Sequence, residues 1–141
     1  MTVEAIHIGS EESGELHAVE SVRAVAGKGL EGDRYFFADG AGPGEGITLV
    51  EAEEVEGAGL GEGETRRQIT VRGVRLNDLV GRRFRVGEVE CVGVELCEPC
   101  SHLESLTRPG LIKELLHRAG LRADVLTDGT IRVGDQLVEL A

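Results

Sequence analysis

The chain has 141 residues, 40% hydrophobic and 29% charged, proportions typical of a soluble protein that folds as one domain over residues 1–141. Its net charge of −11 argues against binding to nucleic acid or to an anionic membrane, because such binding needs Lys and Arg to neutralise phosphates. No run approaches the roughly 18 apolar residues of a transmembrane helix, and the N-terminal residues do not resemble a secretion signal. The odd number of cysteines, three, predicts a cytoplasmic protein with reduced thiols.

Short runs rich in valine and leucine, separated by many of the 21 glycines, predict a mostly β fold. The predicted strands lie at residues 3–8, 16–25, 47–50, 69–71, 84–96, 121–126 and 131–140. Counting the hairpins within these runs gives eight or nine short strands. A β-barrel or a highly curved antiparallel sheet would remove the exposed edges of so many strands.

Two turns and one irregularity are predicted within these strands. Gly87-Glu88 indicates a hairpin turn, and Asp128-Gly129 indicates a hairpin between the strands at 121–126 and 131–140. The apolar alternation changes phase within residues 89–96, which predicts either a bulge near Gly93 or burial of both faces.

The helical content is predicted to be small. Glutamates and alanines ended by Gly59 predict a helix over residues 51–58, and residues 76–80 indicate a helical turn. Apolar spacing predicts an amphipathic helix over residues 111–119, ended by Gly120. The fold class is therefore mostly β and barrel-like, with two or three short helices.

The stretch from Gly27 to Tyr35 has three glycines, each two or three residues from the next. Exposed backbone N–H groups beside Lys28 and Arg34 would form a cradle for an anion. The spacing matches neither a dinucleotide-binding fingerprint nor a Walker sequence. A tight loop carrying a surface ion pair is the alternative for this segment.

An arginine cluster stands out in this acidic chain. It holds seven of the 15 basic residues within about twenty positions: Arg66, Arg67, Arg72, Arg75, Arg82, Arg83 and Arg85. Guanidinium groups match the geometry of phosphate, so a site for an anionic ligand is one explanation. Ion pairs with surplus surface carboxylates are the other.

The segment from Cys97 to His102 closes the strand at residues 89–96 and holds two of the three cysteines; Cys91 is expected to be a small core residue. A thioredoxin-type dithiol is disfavoured, because the next predicted helix starts some ten residues on and no βαβ pattern is present. Zinc bound by Cys97, Cys100 and His102 would lack a second ligand pair. A single reactive thiolate at Cys100, favoured by the arginine cluster, and a pair of inert cysteines complete the alternatives.

Taken together, several segments resemble the MOSC domain, the molybdenum-cofactor sulfurase C-terminal family. They run in order from about residue 16 to the end of the chain: Gly29-Leu30-Glu31-Gly32-Asp33-Arg34-Tyr35, Ile47-Thr48-Leu49-Val50-Glu51, Arg66-Arg67-Gln68-Ile69, Gly73-Val74-Arg75-Leu76, Gly81-Arg82-Arg83-Phe84-Arg85-Val86-Gly87, Pro99-Cys100, Asp128-Gly129 with Ile131, and Val133-Gly134-Asp135. The resemblance implies a small stand-alone member with a barrel-like fold.

The resemblance also implies binding of a molybdenum cofactor of the molybdopterin type. Cys100 would be the metal ligand or a carrier of sulfur. The arginines would hold the pterin phosphate, as is reasonable for an anion in an acidic protein. With the glycine loop included, the predicted cofactor-binding residues are Lys28, Asp33, Arg34, Arg66, Arg67 and Gln68.

Two positions depart from the family pattern. Tyr35 stands where the family often has histidine, and Gln68 stands where it often has asparagine, so ligand contacts there are expected to differ. Cys97 lies outside the pattern and would either form a regulatory disulfide with Cys100 or have no role. The three regions that end at Arg34, at Arg67 and at Cys100 must meet in space for this function to hold.

Whether the chain turns over a substrate is open from the sequence. Sulfur transfer would need a separate sulfur-donor protein, because no pyridoxal-phosphate domain is visible. Activity as part of a molybdenum oxidoreductase would need an electron-donor protein, because no flavin, haem or iron–sulfur motif is visible. The alternative is a binding or scaffold module of the same fold without a cofactor.

Overall fold

In the computed structural model, which describes residues 1–11 and 14–140 without the side chain of His102, the chain forms eleven strands and three short α-helices. The strands are β1 (Thr2–Ile8), β2 (His17–Ala18), β3 (Ser21–Val25), β4 (Gly29–Leu30), β5 (Ile47–Glu51), β6 (Ile69–Arg72), β7 (Arg83–Val86), β8 (Val89–Leu96), β9 (Leu121–Val125), β10 (Gly129–Arg132) and β11 (Leu137–Glu139). The helices are α1 (Ala52–Gly57), α2 (Ser101–Leu106) and α3 (Leu111–Leu115), with a 3₁₀ turn at Leu76–Leu79.

Eight strands form one curled sheet in the order β11-β7-β8-β9-β5-β6-β1-β2, and β10-β3-β4 form a second, smaller sheet. The large sheet curls until β1 meets the residues just before β11. There Val3 N donates to the carbonyl oxygen of Asp135, and Gly134 N donates to that of Val3, both over 2.8 Å. The predicted mostly β, barrel-like fold is confirmed.

The interior of the curled sheet is aliphatic apart from Phe84, as expected from a chain with three Phe, one Tyr and no Trp. Its largest fully buried side chains include Ile6, Leu49 and Leu121, each worth roughly 1.5–3 kcal/mol when removed from water. A second, smaller cluster packs α2 and α3 together through Leu103, Leu111, Leu115, Ala58 and Ala119. Within the described residues, no helix has the length and apolar character needed to cross a membrane.

The Gly87-Glu88 turn and the bulge near Gly93 are both confirmed. β7 and β8 pair up to Val86 and Val89, and Gly87 has a φ of +56°. The register of β8 against β9 shifts between Gly93 and Glu95. A Cβ at Gly93 would overlap the backbone of Leu79, so the 3₁₀ turn approaches the bulge too closely for any other residue.

The predicted hairpin at Asp128-Gly129 is wrong. β9 pairs with β5 and β8 in the large sheet, whereas β10 leaves that sheet and pairs with β3. The Asp128 side chain accepts a 2.7 Å hydrogen bond from Ala26 N, so the turn is fixed by the neighbouring strand connection. The turn residues were recognised correctly, but the partner of the next strand is set by tertiary contacts.

The predicted helix over residues 111–119 is shorter than expected, because α3 ends at Leu115. His117 has a φ of +62°, which an α-helix cannot include. This conformation is held by Glu98, whose carboxylate accepts from His117 N over 2.7 Å and lies 2.5 Å from Nδ1.

Two local expectations about the cysteine segment also need correction. A helix, α2, begins directly after Cys100, where a loop of some ten residues was expected. A parallel crossover is present as well, since β5 and β6 are parallel neighbours joined through α1. It does not contain the cysteines, which follow β8.

Candidate functional site

A cleft of about 360 Å³ opens where three distant segments of the chain meet. Arg34 comes from the end of the glycine loop, Arg66 to Gln68 precede β6, and Cys97 to Cys100 follow β8. The described residues that line it are Arg34, Tyr35, Phe37, Gly44, Glu45, Ile47, Thr48, Arg66, Arg67, Gln68, Cys97, Glu98, Cys100, Leu103 and Arg122. Five of the seven predicted site residues are therefore brought together; Lys28 and Asp33 do not line the cleft.

Asp33 lies behind the cleft wall and holds it in place. Its side chain is fully buried. One oxygen accepts from Gly9 N at 3.1 Å and from Arg34 Nη1 at 2.9 Å, while the other accepts from Tyr35 N at 3.1 Å and Gln68 Nε2 at 2.6 Å. A buried carboxylate with four donors is fully satisfied, so Asp33 positions the wall residues and is not exposed to a ligand.

Arg34 connects this carboxylate to the next segment. Its side chain is 5% exposed, and Nη2 donates to the carbonyl oxygen of Arg66 over 3.2 Å. The guanidinium lies 4.6 Å from the ring centroid of Tyr35, so this ring stacks on the cation. Nε of Arg34 is buried and has no acceptor among the described residues.

Arg66 has a left-handed backbone, with a φ of +63°. Such a conformation costs a non-glycine residue about 1–3 kcal/mol and is concentrated at functional sites. Arg66 N donates to Gly63 O over 3.0 Å, and Nη2 donates to Gly14 O over 2.9 Å. Burial, and then the nearby charge of Arg34, lower the pKa of the Arg66 guanidinium.

The side chain of Arg67 donates its hydrogen bonds to backbone carbonyl oxygens. Nε donates to Ala119 O over 2.9 Å, and Nη2 reaches both Cys97 O at 3.2 Å and Glu98 O at 3.3 Å. A single guanidinium thus joins the cysteine segment to the chain entering β9. This role was not foreseen from the sequence, which assigned Arg67 to the ligand.

Gln68 belongs to the floor of the cleft and is 1% exposed. The side-chain Oε1 of Gln68 accepts a hydrogen bond from Thr48 N over 2.8 Å. The backbone N–H of Gln68 donates to Thr48 Oγ1 over 3.0 Å. Since Nε2 also donates to Asp33, both ends of the side-chain amide have a partner inside the protein. An asparagine here would be one methylene shorter, so the longer amide suits the distance to both partners.

Cys100 is exposed at the mouth of the cleft, and Cys97 is 2% exposed on its wall. Cys100 is the residue before α2, and its Sγ accepts from Leu103 N over 3.5 Å. Cys97 N donates to Gly120 O over 2.8 Å. Cys91 lies in the core as predicted, where burial raises the pKa of its thiol to about 12.

The zinc alternative receives no support from the described side chains, among which no group of three or more His, Cys, Asp or Glu residues is placed to hold a metal ion. The side chain of His102, one of the three expected ligands, lies outside the described part of the chain.

The arginine cluster divides into two parts, one at the cleft and one in surface ion pairs. Arg66 and Arg67 line the cleft, whereas Arg72 forms a surface ion pair with Glu4 and another with Glu56 at 2.6 Å. Arg83 pairs with an acidic neighbour in the same way. Exposed pairs of this kind contribute at most about 1 kcal/mol each.

Arg122, in the middle of β9, was missed by sequence reasoning. Its Cα lies opposite Thr48 of β5 on one side and Glu95 of β8 on the other. In sequence it is one outward residue of an alternating strand, and nothing local distinguishes it from a surface arginine. Only the pairing of β9 between β5 and β8 places it in the cleft.

Comparison with known proteins identifies the fold. A model of the MOSC domain matches residues 48–138. The crystal structure of the YuaD protein from Bacillus subtilis superposes with a TM-score of 0.78 at 19% identity, covering 97% of this chain and 94% of that one. YiiM from Geobacillus stearothermophilus gives 0.74 at 20% identity, with 99% and 75% covered. YiiM from Escherichia coli gives 0.73 at 14% identity, with 100% and 70% covered. No curated protein matches the sequence.

Proposed function

The chain belongs to the MOSC domain family, which is linked in general to the molybdenum cofactor, and we propose that its cleft binds a cofactor of the molybdopterin type beside the thiol of Cys100. The observation that carries this proposal is the convergence of the arginine-bearing wall and an exposed cysteine on one cleft. Its volume of about 360 Å³ falls within the range of small-ligand sites.

The side chains present fit such a ligand in charge and in softness. A pterin phosphate is an oxyanion, and guanidinium groups match its geometry. A thiolate is a ligand for soft metal centres. The buried Nε of Arg34, which has no acceptor among the described residues, is a donor that a ligand oxygen would satisfy.

In this proposal the walls and the thiol have separate tasks. Asp33, Arg34 and Gln68 fix the wall and the floor, and Arg67 fixes the cysteine segment. Cys100 is the reacting group. When bound, the cofactor would supply a molybdenum centre that accepts a sulfur ligand.

As a sulfur carrier, Cys100 would need only a donor persulfide. Its thiolate attacks the terminal sulfur of the donor, and a new S–S bond forms on Cys100 while the donor's S–S bond breaks. The electron pair leaves with the donor thiolate, so the step needs no oxidant. The donor is expected to be a separate protein. Localisation in the cytoplasm, where thiols are kept reduced, suits this chemistry.

The decisive experiment is to purify the protein from a host that makes molybdenum cofactor, and to measure bound molybdenum and the fluorescence of the oxidised pterin. The wild type is expected to carry both. Cys100→Ser should lose molybdenum or persulfide sulfur, whereas the control Cys97→Ser should retain them. Wild-type protein without molybdenum and pterin, unchanged by Cys100→Ser, would instead identify a scaffold module of this fold.

A further inference from the structure

The arginines of the cleft differ in whether their guanidinium groups are already engaged. Arg34 is bound to Asp33 and to the carbonyl of Arg66. Arg66 is bound to the carbonyl of Gly14, and Arg67 spans three carbonyl oxygens. These guanidinium groups build the walls, so part or all of their donor capacity is used before a ligand arrives.

Arg122 is the exception. Within residues 1–11 and 14–140, its side chain makes no hydrogen bond and no ion pair. It is half-buried on the outward face of β9, whose other face is in the core. An arginine remains charged at any ordinary pH, and one in a cleft without a counter-ion is a ready site for an anion.

The acidic residues that line the same cleft are engaged elsewhere. Glu45 accepts from the backbone N–H of Gly42 over 2.9 Å. Both carboxylate oxygens of Glu98 are taken by His117. Glu95, directly opposite Arg122 in the β-ladder, is exposed and does not pair with it among the described contacts.

The loop that contains Gly44 is anchored close to Arg122. Asp124, two residues further along β9, accepts from Gly44 N over 2.7 Å. A Cβ at Gly44 would lie 3.6 Å from the Cβ of Arg122, and the φ of Gly44 is +77°. The loop therefore passes close to the stem of Arg122, and the positive φ at position 44 favours glycine there.

We propose that Arg122 is the anion-binding residue of the cleft and binds an oxyanion of the phosphate class through bidentate hydrogen bonds. The inference rests on the proposed function for the identity of the ligand that carries this oxyanion. Arg34, whose buried Nε lacks an acceptor, would supply a further donor from the same cleft. Arg67 then holds the wall and does not hold the ligand.

Titration of protein from a host that makes no molybdenum cofactor with inorganic phosphate, at constant ionic strength, tests the inference. Arg122→Gln should weaken binding by about tenfold or more, the loss expected for a charge-assisted hydrogen bond. Arg122→Lys, which keeps the charge and loses the bidentate geometry, should weaken phosphate binding less. Arg85→Gln is the matched control, because it removes the same charge from an exposed strand position outside the cleft. Urea unfolding of each variant checks that the fold is retained.

The inference is overturned if wild type does not bind phosphate, or if the folded Arg122→Gln variant binds it as wild type does. Pterin content, measured on protein from a host that makes the cofactor, then identifies the source of the oxyanion. Loss of pterin in Arg122→Gln assigns it to the cofactor, whereas normal pterin with lost phosphate binding assigns it to a separate substrate; both support the anion site. Wild type without pterin, but with phosphate binding that needs Arg122, would reject the proposed function and leave the anion site standing.

Discussion

Nη2 of Arg34 donates to the backbone carbonyl oxygen of Arg66 over 3.2 Å, and Arg66 is one of two described non-glycine residues with a positive φ. The buried side chain of one arginine thus holds the strained backbone of another at the edge of the cleft.

The strain at Arg66 can be measured with two variants that both lose the guanidinium. Arg66→Gly should be more stable than Arg66→Ala by about 1 kcal/mol, because only glycine adopts a φ of +63° without cost. Urea unfolding gives the difference. Equal stability of the two would mean that the backbone relaxes out of the left-handed region when the side chain is shortened.

Asp33→Asn should destabilise the protein by about 3 kcal/mol, because it removes the charge partner of the buried Arg34 and places an amide against four donors. Arg83→Gln is the comparison, since it breaks the exposed pair with Glu90 and should cost less than about 1 kcal/mol. Chemical denaturation measures both. Similar losses in the two variants would contradict the role assigned to Asp33.

Arg67→Gln should loosen the cysteine segment. Losing the guanidinium leaves three carbonyl oxygens short of a charged donor, at a cost of about 2 kcal/mol in the free energy of unfolding. The buried thiol of Cys97 should then react faster with a thiol reagent, measured in an Arg67→Gln, Cys100→Ser double variant. An unchanged rate relative to Cys100→Ser alone would show that the segment is held by other contacts.

The three thiols should react very unequally. Cys100 is exposed, Cys97 is buried, and burial raises the pKa of Cys91 to about 12, so one thiol per native chain should react rapidly with an aromatic disulfide reagent. Cys100→Ser should abolish this rapid phase, and all three thiols should react in denaturant. A rapid phase that survives in Cys100→Ser would refute the assignment.

Stability should depend on pH through His7. Burial lowers its pKa in the folded protein, and Nδ1 has no partner among the described residues, although Glu62 lies 3.5 Å from Nε2 and His17 is near. The unfolded chain therefore takes up a proton near pH 6.5 before the folded protein does. Stability should fall as the pH drops below 6.5, by up to about 1.4 kcal/mol per pH unit, until the folded pKa is reached.

His7→Leu should remove this part of the slope, whereas His17→Gln, at an exposed position, should change it little. Urea unfolding between pH 7.5 and the lower end of the stable range gives the slope, on a scale of about 1.4 kcal/mol per proton and pH unit. An identical slope in wild type and His7→Leu would assign the effect to the carboxylates.

Local patterns predicted what depends on neighbouring residues. The β7–β8 turn and the bulge near Gly93 follow from glycine positions and alternation, and both are present. The Asp128-Gly129 hairpin failed because the choice of β3 as the partner of β10 depends on residues more than 100 positions away. The predicted end of α3 was wrong because Glu98 holds His117 in a non-helical conformation.

The sequence was enough to predict which segments form the candidate site, but not which contacts each arginine makes. Glycine spacing and paired arginines marked Arg34, Arg66 and Arg67, and all three line the cleft. That Arg67 binds backbone carbonyls, or that Arg122 is left without a partner, depends on which strands are adjacent. A sequence does not carry that information in any short window.

The hydrogen-bonded contact between β1 and the residues before β11 affects how the chain folds during synthesis. It joins Val3 to Asp135, so the curled sheet cannot close until Asp135 has left the ribosome. Until then β1 is paired with β6, and its other edge, apart from the short pairing with β2, is open to a strand from another chain. Contacts so distant in sequence also form slowly. We therefore expect the period before closure, more than the finished sheet, to decide how much of the protein is lost to aggregation during synthesis.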